Sequence, residues 1–345
     1  GDVIVGYNGN GNVKASEDFA YIDSPTKGID LNVILEDCRP NNLNITNEHI
    51  GESISLNGTI HMQGTDFKHL YGNAQLEDIN LTTPTDQFHL DGIMLEAEQL
   101  DNGESKYVVT SDVVSGNIQG ETTLMDIAQS FINQMSRHLP IIFKPQTENH
   151  ISSSAHFTYD LTVTDAPVLH HFIDADYSLG TPIRIFGNLD ASEDKMSFQL
   201  DVPNFIYNET PYNDIAVACN SSYDNMNVHA IASTFKESDD DEIPSTSTKF
   251  DVMADIHDNR IISDLYVNTT GSNDIMLQLL PIIQLSDSLG TMKTDIALRK
   301  STAVINDTAW TVSPANISFY KKNIECHNVR FSNNNTNSFL AIDTT

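Results

Sequence analysis

Ile54-Ser-Leu-Asn-Gly-Thr-Ile-His-Met62 places its apolar residues on even numbers only: Ile54, Leu56, Ile60 and Met62 share one face, while Ser55, Asn57, Thr59 and His61 hold the other. A side-chain period of two specifies a strand with one dry face and one wet face. Residues 71–81, reached through the polar link 63–69, predict the second arm of an antiparallel hairpin. A second copy lies downstream. Ile183, Ile185, Leu189 and Ala191 alternate, Ser192-Glu-Asp-Lys195 turns the chain, and Met196, Phe198, Leu200 and Val202 alternate again. Each hairpin follows a further strand, at 29–37 and 157–165. Superposing Leu31 on Tyr159 aligns Asp37 with Asp165 at an offset of about 128 residues, which points to a repeat. Two repeats are expected, 1–150 and 151–345, the second continuous with the first.

A chain of 345 residues can fill two ordinary domains or one long body that grows without a central core. Only 39% of it is hydrophobic and 19% charged, and the abundance of Asn, Ser, Thr and Gly favours strands and turns over long helices. Lys and Arg number 18 against 48 Asp and Glu, a net charge of -30 that repels nucleic-acid phosphates and anionic head groups alike. Nucleic acid is excluded as a natural partner on this ground. Cys38, Cys219 and Cys326 have neither metal-ligand spacing nor a disulfide framework. Cys219 extends the alternation of Ile215 and Val217 and reads as a small buried hydrophobe. No run approaches the roughly 18 apolar residues of a membrane-spanning helix, and Gly1 opens into polar sequence with no signal peptide. A mature secreted protein or an internal piece of a longer one is expected.

Along the chain, Val3-Ile-Val5 leads into a glycine-rich stretch, 7–12, which lacks the Gly-Lys-Ser/Thr of a phosphate loop and reads as a hairpin turn. Further strands are expected at 88–90, 93–97, 107–109, 113–118, 250–256, 261–267, 296–305 and 339–342, separated by turn chemistry such as Asp101-Asn-Gly103. The longest helix is predicted over 124–138. Leu124, Ile127, Ala128, Phe131, Ile132, Met135 and Leu139 fall at helical spacing, Thr123 and Asp126 form the start signal, and Pro140 ends it. Its apolar side is expected to cover one end of a sheet, because the polar side carries little positive charge for a membrane surface. Shorter helices are expected at 167–173 and 274–280. The run Glu237-Ser-Asp-Asp-Asp-Glu242 lacks the Gly and distal Glu of a calcium loop and reads as a solvated loop.

Catalytic constellations are missing from this pattern. There is no nucleophile elbow, no HExxH pair and no distinctive carboxylate pair. His170 and His171 are adjacent, which on a helix turns them about 100° apart and prevents chelation. His61 and His156 read as half-exposed sheet residues. No catalytic residue, metal ligand or cofactor is assigned.

Two stretches carry a resemblance. Ala303-Val-Ile-Asn-Asp-Thr-Ala-Trp-Thr-Val-Ser-Pro-Ala-Asn-Ile317, followed by 324–331, resembles the strand, Asn-Asp-Thr-x-Trp, strand, Pro-x-x-Ile, strand run of the TamB family of translocation and assembly module proteins in its Bacteroidetes form, within the AsmA-like superfamily. Ser115-Gly-Asn-Ile-Gln-Gly120 before the helix and Phe205-Ile-Tyr-Asn-Glu-Thr-Pro-Tyr-Asn-Asp214 are similar to other junctions of that family. The acidic run at Asp239 to Asp241 departs from its pattern. The resemblance covers about 31–342 and implies an internal fragment of a longer periplasmic protein. The whole would be anchored in the inner membrane and reach toward the outer one. It implies an elongated, twisted antiparallel sheet curved into a U-shaped groove, the β-taco, with a few short helices. It also implies phospholipid acyl chains as cargo, a role in outer-membrane biogenesis and protein translocation, and an outer-membrane barrel of the TamA type as partner.

The sequence therefore predicts a non-enzymatic lipid groove. In the first repeat Ile54, Leu56, Ile60 and Met62 would line it. In the second, Ile185, Leu189, Phe198, Leu200, Val202, Val252 and Ile256 would do so, and the same residues suit an ordinary sandwich core. The alternative is an extracellular adhesin or glycan-binding β-sandwich, which the Asn-x-Ser/Thr sites at Asn57 and Asn316 favour, although chance supplies such sites in so Asn- and Thr-rich a chain. A parallel β-helix lyase is a third class, which the hairpin loops oppose. Trp310 is expected to pack its ring mostly inside.

Overall fold

The computed structural model describes residues 2–6, 12–17, 27–39, 51–64, 69–144, 155–172, 177–238, 244–271, 273–321, 323–333, 335–336 and 338–342. The turn expected at 7–11 and the acidic run at 239–242 lie outside the described residues. Strands take 70% of the structure and helices 7%, in antiparallel sheet not closed into a barrel. Mainly β architecture is what the period-two stretches demand. The chain forms two compact units.

The first unit comprises residues 1–125 and 157–176. Strands β1 (Asp2–Gly6), β2 (Asn12–Glu17), β3 (Lys27–Cys38), β4 (Ser53–Gly64), β5 (Leu70–Thr82), β6 (Gln87–Gln99), β7 (Ser105–Ser111) and β8 (Val114–Glu121) each pair antiparallel with the next. The hairpin expected from 54–62 and 71–81 is β4–β5, with Ile60 opposite Ala74 and Ile54 opposite Leu81. The two short strands expected at 88–90 and 93–97 are one strand, β6. Gly92 does not interrupt it, because its missing side chain admits the Leu76 carbonyl oxygen, which a Cβ would meet at 2.7 Å. Apart from His156, β9 (His156–Val163) belongs to this unit and runs beside β8. Thr164 N–H donates to Val113 O at 2.8 Å, and a Cβ on Gly116 would strike the Asp160 carbonyl oxygen. The short helix expected at 167–173 is α2 (Pro167–Phe172).

The second unit comprises residues 126–156 and 177–345. It therefore takes almost all of α1 (Leu124–His138), the helix expected in the first repeat. Strands β10 (Tyr177–Leu179) and β11 (Ile183–Asp190) share opposite halves of β12 (Lys195–Tyr207). The expected hairpin is β11–β12, with Leu189 opposite Met196. Next come β13 (Thr210–Ser221), β14 (Met226–Lys236), β15 (Thr246–His257) and β16 (Arg260–Thr270), each paired to its predecessor. The hairpins β12–β13 and β15–β16 close on Asn208-Glu209 and Asp258-Asn259, with φ positive at both turn residues in each. That is the backbone of a type I′ turn, whose twist matches the flanking strands.

Beyond β16 the sheet divides. The remaining strands are β17 (Ile275–Leu279), β18 (Pro281–Ser288), β19 (Thr291–Leu298), β20 (Ser301–Ile305), β21 (Thr308–Val312), β22 (Ala315–Tyr320), β23 (Asn323–His327), β24 (Val329–Asn333) and β25 (Phe339–Ile342). β16 pairs with both β17 and β18, which start two wings: β17–β20–β21–β24–β25 and β18–β19–β22–β23. The breaks fall at one level, at Leu280, Arg299-Lys300, Ser313-Pro314 and Asn328, so the sheet carries a crease. Gln278 opposes Thr302 while Pro281 opposes Leu298, which leaves one extra residue at 299–300. An extra residue of this kind bends the strand that holds it. Ser263, Ser301, Val312 and Ala315 are buried along the crease. Arg299 staples it: Nε donates to Leu280 O at 3.1 Å, and Nη2 reaches Ser263 O at 3.2 Å and Asp264 Oδ1 at 3.1 Å.

Two expectations are corrected here. Residues 274–280 form strand β17 rather than a helix, since Ile275, Leu277 and Leu279 also satisfy a period of two and β16 and β20 offer backbone partners on both sides. The strand expected over 296–305 is two strands, parted at the crease.

Candidate functional site

The first unit presents one dry sheet face. Its even-numbered β4 residues stay on one side along the whole strand because both neighbouring bulges are accommodated by the partner strands, in β3 near Asp37 and in β5 near Asp78. Those two aspartates, and Asp214 at the β13–β14 bulge, adopt φ of 49, 50 and 52°. Aspartate tolerates this left-handed conformation better than most side chains. Cross-strand rows follow: Leu31, Ile60, Ala74, Leu95 and Val109 lie side by side, as do Ile54, Leu81 and Phe88. The opposite face carries Asp30, Asn57, His61, Gln75 and Glu96, all exposed.

In the second unit, Ile185, Leu200, Val217, Ala230, Val252, Leu265 and Leu279 form one row across seven strands. A parallel row runs through Leu189, Met196, Met226, Ile256, Ile261, Ile283, Ile296 and Ile317 with Ser221 among them. The residues expected to line a groove thus fall on the apolar face of their own unit. Leu189, Val202 and Ile256 are buried at 1%, 6% and 8% exposure, whereas Ile54, Leu56, Ile60, Met62, Ile185, Phe198, Leu200 and Val252 are half-buried. A sealed core hides its side chains more fully than that. Trp310, opposite Ala303 and Asn333, is half-buried, in keeping with a ring packed mostly inside. Its Asn306-Asp307 neighbours form another turn with φ positive at both residues, which gives the Asn-Asp-Thr-x-Trp run a local physical reason.

Helix α1 covers a sheet end, as expected, with Leu139 buried and Ile127, Phe131, Ile132 and Met135 half-buried, but its most buried positions are mainly polar. Asp126, Ser130, Gln134 and His138, four residues apart, form a buried polar stripe, while Leu124 and Ala128 are exposed. The reason is what the helix meets. It lies on hairpin turns, whose backbone groups and hydroxyls require hydrogen-bonding partners. Gln134 Nε2 donates to Ser221 Oγ and to Asp194 O, both at 2.9 Å. His138 Nε2 lies 2.9 Å from Ser221 Oγ, and Asn259 N–H donates to His138 O at 2.7 Å. Arg137 pairs with Asp194 and lies over the Tyr223 ring. Burial holds the His138 imidazole below its ordinary range, against a smaller opposing effect of a hydrogen bond to the Ser222 backbone. The apolar spacing visible in sequence gave no sign of this stripe.

Several histidines pair with carboxylates. His61 meets Asp30 at 2.7 Å, His229 meets Asp251 at 3.0 Å and His156 meets Asp190 at 3.2 Å, all on wet surfaces. Such exposed pairs contribute little to stability. His170 and His171 diverge as adjacent helical positions must, His170 to Asp165 at 2.9 Å and His171 to Glu52 at 3.1 Å. Among the described residues, no three His, Cys, Asp or Glu side chains converge on a metal-sized site. Cys219 is buried, and desolvation pushes its thiol up to about 11, which keeps it protonated and unreactive near neutral pH. No protein-family model, curated protein or solved structure matches the chain.

Proposed function

We propose that the apolar sheet faces hold lipid acyl chains, and that the chain is a non-enzymatic segment of a TamB-like periplasmic protein serving outer-membrane biogenesis. One observation carries this reading. In each unit the apolar face is long, continuous across strands and left half-accessible, as at Ile60, Met62, Leu200 and Val252. Burying a chain of roughly sixteen carbons there would gain on the order of 12 kcal/mol over water, at about 0.8 kcal/mol per methylene. Relative to a bilayer the gain nearly vanishes, so lipid enters, slides and leaves without a tight site. In this reading the full-length protein is anchored in the inner membrane and meets an outer-membrane barrel of the TamA type.

The test places photo-crosslinking residues at Met62 and Leu200 and, as controls, at His61 and Gln199 on the wet faces. Phospholipid captured at the first pair and not the second is the expected result; capture at neither, or equally at both, rejects the reading.

A second reading rests on a hollow of about 540 Å³ on the wet face of the second unit, lined among others by Asn220, Asn227, His229, Asp255 and Arg299. Amides and carboxylates so arranged suit sugar hydroxyls, the chemistry of a glycan-binding protein. Glycan-array binding lost on Asn227→Ala, with no lipid crosslinks, would favour it.

A further inference from the structure

A second cleft, of about 670 Å³, lies within the first unit between the start of β6 and α2, lined by Asp86, Phe88, Asp165, Ala166, Pro167, His170 and His171. That volume is within the roughly 300–1,000 Å³ of small-molecule sites. Its location ties it to the apolar face. Phe88 opposes Leu81, which opposes Ile54, so the ring closes one dry row and also forms a wall of the cleft. The apolar face therefore runs directly into a pocket of different chemistry.

The chemistry is that of a cation site. Asp86 and Asp165 line the cleft, and Glu52 stands behind His171, whose ring lies tilted at 35° with its centroid 5.3 Å from that of Phe88. Three carboxylates thus stand at or behind the cleft, against two imidazoles. An aromatic face beside carboxylates is the arrangement that receives an organic ammonium, by ion pairing and cation–π attraction together. Anions are disfavoured there for the same reason.

We propose that this cleft binds an alkylammonium group, with Asp86 and Asp165 taking the charge and Phe88 the adjoining methylenes. The proposal rests on the acyl-chain reading for one of its two sources, an amine-bearing phospholipid whose chains lie along the Ile54–Leu81–Phe88 row; the other source is a free amine. The cleft would then distinguish lipids by head group where the sheet face distinguishes none.

The test uses the full chain and four probes: phosphatidylethanolamine and phosphatidylglycerol with identical acyl chains, and soluble phosphoethanolamine and glycerol phosphate. Wild-type protein should favour each amine probe over its glycerol counterpart. The paired substitution Asp86→Asn with Asp165→Asn, which keeps an acceptor for His170, should reduce that preference by about tenfold, the scale of one lost ion pair or cation–π contact. Uptake of phosphatidylglycerol should persist or rise, since two repelling carboxylates are gone, which also shows that the variant is folded; Phe88→Leu should likewise reduce the preference for the amine probes. Preference for soluble phosphoethanolamine without uptake of either lipid would uphold the cleft while removing the acyl-chain reading. Equal uptake of both lipids, with no carboxylate-dependent binding of the soluble amine, would overturn the cleft and leave that reading standing.

Discussion

His138 Nε2 and Ser221 Oγ stand 2.9 Å apart, both buried, across 83 residues of sequence. Together with Gln134, this pair fixes the buried stripe of α1 to the turn that follows β13. Ser221→Ala should cost about 1–3 kcal/mol, because two buried polar side chains lose a partner at once. The sign of the pH dependence follows from burial. The imidazole's folded-state value is depressed, so its contribution is complete above the unfolded value of about 6.5 and is lost as pH falls through the folded one. Urea unfolding of wild type and His138→Gln from pH 8 down to about pH 5 should show wild type losing more stability than the variant. Parallel losses would mean that His138 does not titrate in this window.

Leu189 and Leu200 lie on the same apolar face but at 1% exposure and half-buried respectively. Leu189→Asp leaves a buried unpaired charge and should unfold the second unit or cost several kcal/mol. Leu200→Asp can keep its carboxylate hydrated, so circular dichroism and urea midpoints should stay near wild type, while lipid capture at neighbouring positions falls. Equal destabilisation by both would point to a sealed core.

Glu209 holds φ at 63° in the β12–β13 turn, where a side chain costs of order 1 kcal/mol. Glu209→Gly relieves that strain at some cost in unfolded-state entropy, and should raise stability by roughly 0.5 kcal/mol. A fall in the urea midpoint would mean that the glutamate side chain makes a compensating contact.

Arg299 spans the crease through two carbonyls and Asp264. With its side chain 42% exposed, Arg299→Ala should cost only about 1–2 kcal/mol. Arg299→Lys should not restore it, since an ammonium lacks the planar fork that reaches several acceptors at once. Full rescue by lysine would make charge, rather than geometry, the active property.

Trp310→Ala should cost about 2 kcal/mol, less than a fully buried tryptophan loses, because the ring is half-buried. A loss above about 4 kcal/mol in urea unfolding would show that accessibility understates its packing.

Strand alternation made much of each unit legible. β4, β5, β11 and β12 were recoverable because one covered face imposes a period of two on the side chains. Ile275 to Leu279 misled because five residues fit either period, and only the strands beside them decide. The crease was hidden for a related reason: Pro281 and Pro314 mark two of its four breaks, but Arg299-Lys300 and Asn328 carry no breaker signal. The stripe of α1 ran against the apolar spacing because its ground is hairpin turns, a tertiary fact. The cleft brings residues near 52, 86 and 165 together by tertiary packing, and the adjacency of His170 and His171, which excludes chelation, gives no sign that each faces its own carboxylate.

From β11 to β16 each strand pairs with its immediate successor in the chain, so closing each hairpin fixes only a short loop. Assembly can then proceed as a zipper, each strand templating the next, and its reversal is equally graded. β25 offers four exposed residues, paired among the described residues with β24 alone. Amide protons there should exchange fastest and those of β13 to β15 slowest, so loss of order travels inward as a front.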